Sequence, residues 1–209
     1  MNVKEKKLLY IYGDSNTYGY DPLASCYEDD RLPDRNRWPA ILQGHLKDTV
    51  KIIDDGQNGR CLPWSDADYE RFQKALRRYE KLDYFAVMLG TNDLLNQSMP
   101  DPTEIADHME VCIHSVKAVH TECKCIIITP PKMGFTFGQP MYFYQKANEE
   151  LGVLYSETAR KCNAAFVDAG SWELDLVYDG IHLSEKGHAQ FAACMLREFR
   201  NRQILTTMS

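Results

Sequence analysis

Ser15 stands in Gly13-Asp14-Ser15-Asn16, directly after a short apolar run. A serine on such a turn projects its hydroxyl above a sheet edge, but a hydroxyl is a weak nucleophile until a base takes its proton. Six histidines are available as bases. His108, His114 and His120 recur every six residues and so share no helix face. These three and His45 read as exposed helix-surface residues, and His188 as solvent-facing. His182 differs, because it lies in Tyr178-Asp179-Gly180-Ile181-His182, after the last apolar run and just before the final helical segment. Asp179, three residues earlier, is spaced to accept the proton on the far ring nitrogen, fix the tautomer and stabilise the imidazolium. Nucleophile, base and orienter are the residue types of acyl transfer.

Acyl transfer also needs donors aimed where negative charge develops. The backbone N–H groups of Ser15 and Gly59 qualify if their loops converge, and Gly59 has no side chain to keep a carbonyl away. Asn92, in Gly90-Thr91-Asn92-Asp93, offers a side-chain amide. Each piece alone has a bland reading: a chance turn, a surface loop, a helix cap. Together they occur in order, each at the end of an apolar run or before the last helix. Asp14 reads as a structural residue that hydrogen-bonds nearby backbone and holds the turn. Trp64 and Tyr18 follow two of these loops and read equally as pocket lining or as packing. No metal or organic cofactor is needed for this chemistry, and Cys123-x-Cys125 has no second ligand pair at metal-site spacing.

The elements that must position these residues are short. Leu8-Leu9-Tyr10-Ile11-Tyr12, Val50-Lys51-Ile52-Ile53, Tyr84-Phe85-Ala86-Val87-Met88-Leu89, Cys125-Ile126-Ile127-Ile128-Thr129 and Ala164-Ala165-Phe166-Val167 each end in turn residues. They read as strands buried on both faces. Between them lie segments of helical period: 38–47, Phe72-Leu76-Tyr79-Leu82, a stretch from Pro102 through Val119, 142–162 and 184–200. Pro102 suits a first helical position and Ser184 an N-cap. Strands alternating with helices imply a parallel sheet covered on both sides, with the ligand site at the carboxyl ends of the strands. No repeat and no Gly/Ser/Pro-rich linker interrupts the pattern, so one domain over 1–209 is expected. Two stretches are irregular, 21–37 and 130–145, the second of which contains the aromatic, glycine-hinged loop 133–145. The loop is a candidate pocket wall, lid or contact between copies in a homo-oligomer, or simply packs on the domain.

Composition narrows the class. A chain of 209 residues with 44% hydrophobic and 26% charged residues is ordinary globular material. Its length buries enough surface to fold without staples. A net charge of −6 disfavours nucleic acid as a partner. The charged opening and the short first apolar run do not resemble a secretory leader, and no stretch approaches a membrane span. Seven cysteines follow no disulfide spacing. Cys112, Cys125, Cys162 and Cys194 sit among apolar neighbours and are expected to act as small buried hydrophobes in a reducing cytoplasm.

At its polar blocks the sequence resembles the SGNH hydrolases, the GDSL-like lipase/acylhydrolase family. Gly13-Asp14-Ser15-Asn16 is similar to the first block, with Asn16 where the family name has Leu. Gly59, within Asp55-Gly56-Gln57-Asn58-Gly59-Arg60, stands at the second-block glycine. Gly90-Thr91-Asn92-Asp93 matches the third block and Asp179-Gly180-Ile181-His182 the last. The resemblance spans nearly the whole chain. It implies Ser15 as nucleophile, His182 as base, Asp179 as orienter, and Ser15, Gly59 and Asn92 as oxyanion donors. With Thr129-Pro130-Pro131 and Val167-Asp168-Ala169-Gly170-Ser171 added, the sequence is most similar to the arylesterase/acyltransferase branch. That branch acts on short acyl and aryl esters, and some members pass the acyl group to alcohols or peroxide. The implied fold is a flavodoxin-like three-layer α/β/α sandwich with a five-stranded parallel sheet of order 2-1-3-4-5. Expected rivals on the same site are a carbohydrate acetylesterase, a lysophospholipase or a thioesterase. A rival of another class is a catalytically silent binding module. A receiver-like phosphoacceptor using Asp14 lacks the acidic cluster and lysine it would need.

Overall fold

The structure, a computed structural model, describes residues 5–24 and 29–205. Residues 25–28 of the irregular stretch and 1–4 of the charged opening lie outside the described residues. Five strands form one sheet: β1 (Lys7–Gly13), β2 (Val50–Gly56), β3 (Tyr84–Met88), β4 (Lys124–Ile128) and β5 (Ala165–Val167). Their order is β2-β1-β3-β4-β5, and every pairing is parallel. This is the flavodoxin-like order expected from the resemblance.

Alternation along the strands builds two cores. Leu9, Ile11, Ala86, Met88, Ile126 and Ile128 point to one side, where they meet α2 (Trp38–Leu46) and α7 (Glu185–Asn201). Tyr10, Phe85, Val87, Cys125 and Ile127 point to the other, against α3 (Asp66–Leu76), α5 (Pro102–Val119) and α6 (Tyr142–Lys161). Strands covered on both faces have no polar side, which is why they read as continuous apolar runs. β2 departs from the expectation. Lys51 is exposed and Ile52 through Gly56 are half-buried, because β2 is an edge strand with a neighbour on one side only.

Helix ends follow local chemistry. The Ser184 hydroxyl accepts from the Gly187 N–H at 3.1 Å and caps α7 as expected. Pro102 opens α5 behind an Asp101 cap, and Ser65 and Asp68 form a capping box on α3. The helical period through Tyr79 and Leu82 ends earlier than expected, at Leu76. Arg78 and Tyr79 donate to the carbonyls three residues back, which tightens the turn and brings the chain round to β3. Leu82 still reaches the core, and Tyr79 packs edge-on against Tyr10 at 5.5 Å.

Two histidines expected at the surface are buried. His188 is 1% exposed. It lies three residues before Phe191 and four before Ala192, so helical period places it on the buried stripe of α7. Its Nδ1 accepts from the Trp38 N–H at 3.4 Å, while its Nε2 has no partner. His120, at the end of α5, is buried with Nε2 against the Leu76 carbonyl at 3.1 Å. His108 is half-buried, and His45 and His114 are exposed as expected. Cys112, Cys125 and Cys162 are buried, but Cys194 is only partly covered. Among the described residues, no helix is long and apolar enough to cross a membrane.

Burial, with Arg37 and His182 nearby, pushes the His188 imidazole down to about 4. The folded protein therefore resists a proton that the unfolded chain accepts below pH 6.5. Stability contributed by this group is present above pH 6.5 and lost as pH falls towards 4, by about 3 kcal/mol in total. A His188→Asn variant keeps an acceptor for Trp38 and removes the titration. Urea unfolding at pH 6.5 and pH 4 should show a smaller acid loss in the variant than in the parent, and equal losses would contradict this account.

Candidate active site

The end of β1 turns directly into α1 (Ser15–Tyr18), so Ser15 is its first helical residue. Asp14 caps this helix, its carboxylate accepting from the Asn16 N–H at 2.9 Å. This is the turn-holding role expected of Asp14. Its burial raises the carboxyl to about 6, against the opposing hydrogen bond from Asn16. Gly56, at the end of β2, sits under α1. A Cβ there would collide with the backbone of Tyr18 and Thr17, so only glycine lets the helix rest on the strand end.

The Ser15 Oγ lies 2.9 Å from His182 Nε2, and His182 Nδ1 lies 2.6 Å from Asp179 Oδ2. Residues 167 apart in sequence thus form one chain of hydrogen bonds. The other Asp179 oxygen accepts from the Ile181 N–H at 2.8 Å and the His182 N–H at 3.0 Å. Gly180 makes this turn possible with φ +70°, a left-handed conformation that suits glycine. Burial alone would raise the Asp179 carboxyl. The hydrogen bonds from the His182 ring and from the two amides outweigh it, and the group is held below the usual carboxylate range. The geometry suits an imidazole that accepts the Ser15 proton while Asp179 fixes its tautomer.

Two residues around this chain were not singled out from the sequence. Asn16 clips the histidine loop onto the serine turn: its Nδ2 donates to the Ile181 carbonyl at 3.0 Å, and its Oδ1 accepts from the Leu183 N–H at 2.8 Å. The Asn16 carbonyl in turn accepts from the Trp38 indole at 3.0 Å. The signal was an asparagine where the family name has an apolar residue, 2% exposed in the fold. Tyr20 packs its ring edgewise against His182, with centroids 4.8 Å apart.

Gly59 lies on the exposed loop after β2, with φ +71°. That loop is tied to the serine turn, because the Gln57 N–H donates to the Gly13 carbonyl at 3.1 Å. It is also tied to α4 (Thr91–Leu95), which carries Asn92. The Asn92 amide donates to the Arg60 carbonyl at 3.0 Å, and the Leu62 N–H donates to Asp93 Oδ1 at 3.0 Å. Burial raises Asp93 to about 6 despite that bond. The structure therefore brings Ser15, Asp179 and His182 into contact, and laces the loops of Gly59 and Asn92 to the turn of Ser15.

A cavity of about 410 Å³ adjoins Gly59, lined among others by Arg60, Cys61, Asp68, Arg71 and Trp64. Trp64 is 70% exposed, so it is not core packing. Tyr18 lies under the Arg31 guanidinium at 4.4 Å. The base of the 133–145 loop packs on the domain. Met133 is buried and the Gly134 N–H donates to the Gly180 carbonyl at 2.7 Å, whereas Phe137 at the tip is 90% exposed. Among the described residues, no group of three or more His, Cys, Asp or Glu is arranged to hold a metal ion.

The sequence pattern of the GDSL-like lipase/acylhydrolase family matches residues 11–190. The chain belongs to that family. It is a carboxylic ester hydrolase by membership, with small-molecule esters as its substrate class. Solved esterases share the fold. A putative arylesterase from Agrobacterium tumefaciens str. C58 is 26% identical, with 95% of this chain and 100% of that one covered and a TM-score of 0.77. Est24, a carbohydrate acetylesterase from Sinorhizobium meliloti, is 25% identical over 94% of this chain and 100% of that one, with a TM-score of 0.79. The aryl esterase of M. smegmatis is 24% identical, with 93% of this chain and 99% of that one covered and a TM-score of 0.78. No curated protein matches the sequence.

Removing the Asn16 side chain strands the Ile181 carbonyl and the Leu183 N–H. Asn16→Ala should cost about 2–4 kcal/mol of stability and lower ester turnover about tenfold by loosening the histidine loop. Thermal unfolding and steady-state kinetics check both, and an unchanged turnover would show that the clip does not position His182.

Proposed function

We propose that this protein hydrolyses short-chain acyl and aryl esters through a Ser15–His182–Asp179 triad and an acyl-enzyme. The observation that carries the reading is the continuous line from Ser15 Oγ through both ring nitrogens to the Asp179 carboxylate, at 2.9 Å and 2.6 Å. His182 takes the Ser15 proton as the oxygen attacks the ester carbonyl. The tetrahedral oxyanion is received by the Ser15 and Gly59 N–H groups and the Asn92 amide. His182 then gives its proton to the leaving alcohol. Water deprotonated by His182 attacks the acyl-enzyme, and the acid leaves as the proton returns to Ser15. An alcohol in place of that water gives acyl transfer by the same steps. The whole chain works as one such domain.

Short acyl groups fit the surroundings best. The cavity beside Gly59 includes Asp55, Asp68, Arg60 and Arg71 among its walls, a mixed lining that does not suit a long alkyl chain. A sugar acetate is the second reading. It is favoured by the exposed Trp64 indole in that cavity and by the likeness to a carbohydrate acetylesterase.

Purified protein should cleave nitrophenyl acetate, and activity should fall along the series to octanoate. Ser15→Ala should remove turnover, and Asp179→Asn should lower kcat by about 10²–10⁴. An organophosphonate should label Ser15 in the parent. A parent protein inert from acetyl to octanoyl and on sugar acetates, with no label on Ser15, would instead mark a silent binding module.

A further inference from the structure

Arg60 forms no hydrogen bond or ion pair with Ser15, His182 or Asp179 among the described residues, yet it sits where the loops of Ser15, Gly59 and Asn92 meet. Its side chain is 12% exposed. One guanidinium nitrogen, Nη1, donates to the Gly13 carbonyl at 3.1 Å and to the Asp55 carbonyl. The other, Nη2, donates to Asp55 Oδ1 at 2.8 Å and to Gln57 Oε1 at 3.1 Å. The guanidinium plane lies over the Tyr12 ring, 4.2 Å from its centroid. The Arg60 carbonyl receives one N–H of the Asn92 amide at 3.0 Å.

We propose that Arg60 is the positioning residue of the oxyanion site, joining the turn of Ser15, the loop of Gly59 and the amide of Asn92 into one rigid unit. This rests on the esterase reading above. Gly13 is two residues before Ser15, so the bond to its carbonyl fixes the height of the serine turn. Gly59 precedes Arg60 directly, and a left-handed glycine has no side chain of its own to hold it, so its place depends on its neighbours. The carbonyl of Arg60 takes one amide hydrogen of Asn92, which orients the amide plane and leaves the second hydrogen as a donor. A planar fork that reaches two carbonyls and a carboxylate at once is within the reach of arginine and outside that of lysine. Ground-state binding of an ester does not draw on these contacts, whereas the oxyanion of the transition state does.

The test compares the parent, Arg60→Ala and Arg60→Lys on nitrophenyl acetate, with thermal unfolding of each. Arg60→Lys keeps the charge beside Asp55 and is chosen to fold if the alanine variant does not. Arg60→Ala should lose about 10²-fold in kcat and Arg60→Lys about tenfold, with KM changed less than about threefold. Guanidinium ion at millimolar concentration should restore part of the kcat of Arg60→Ala and none to the parent. A lysine variant with parental kcat, or a kcat loss that guanidinium does not relieve and that merely follows the folded fraction, overturns the proposal. An inert parent overturns the esterase reading and this proposal together, while an active parent with an unaffected Arg60→Lys variant overturns this proposal alone.

Discussion

Gly13 pairs with Gly56 on one side and with Met88 on the other. That double register of β1 is the constraint from which the site follows. It levels the ends of three parallel strands, so the loops after β1, β2 and β3 leave the sheet at one height. A shift of β1 by one residue would turn Leu9 and Ile11 to the opposite core and lift Ser15 off the plane of the other two loops. The two cores on either side of the sheet resist that shift, since Leu9 and Ile11 are committed to one of them and Leu8, Tyr10 and Tyr12 to the other.

Polar chemistry at this edge is sorted by hydrogen bonding. Asp14, Asp93 and Asp179 are all removed from water to some degree, and burial acts on each in the same direction. Asp14 and Asp93 end up raised to about 6, because the amide donors they find do not make up for lost hydration. Asp179 gains the His182 ring as well as two amides, and the balance reverses. A carboxylate that stays charged beside an imidazole can stabilise the imidazolium, and of these three that property belongs to Asp179, which is hydrogen-bonded to His182.

The esterases that share this fold are about a quarter identical to the chain over nearly its full length. A parallel sheet tolerates such divergence because its strands need only apolar side chains of suitable size on both faces. The loops at the carboxyl edge carry the polar blocks, and such loops change more readily than the strands that carry them. A putative arylesterase and a carbohydrate acetylesterase share that architecture.

Local physics was legible in the residue order. Apolar runs closed by turn residues and helical period depend on near neighbours, so the strands and the Ser184 cap could be read before any coordinates, whereas the sheet order came only from the family resemblance. Turn chemistry is also local, which is why Asp179 and His182 could be paired from their spacing. Helical period would also have assigned His188 to the stripe of Phe191 and Ala192, had it been applied to a residue type usually met at surfaces. Contacts across the fold that no family block marks were beyond reach; the meeting of Ser15 with His182 was expected from their residue types and from the resemblance. The Asn16 clip to Ile181 spans 165 residues, and the bond from Asn92 to the Arg60 carbonyl spans 32. No sequence period encodes such meetings, because they depend on the register of separate strands and on where each loop lands once the two cores have closed.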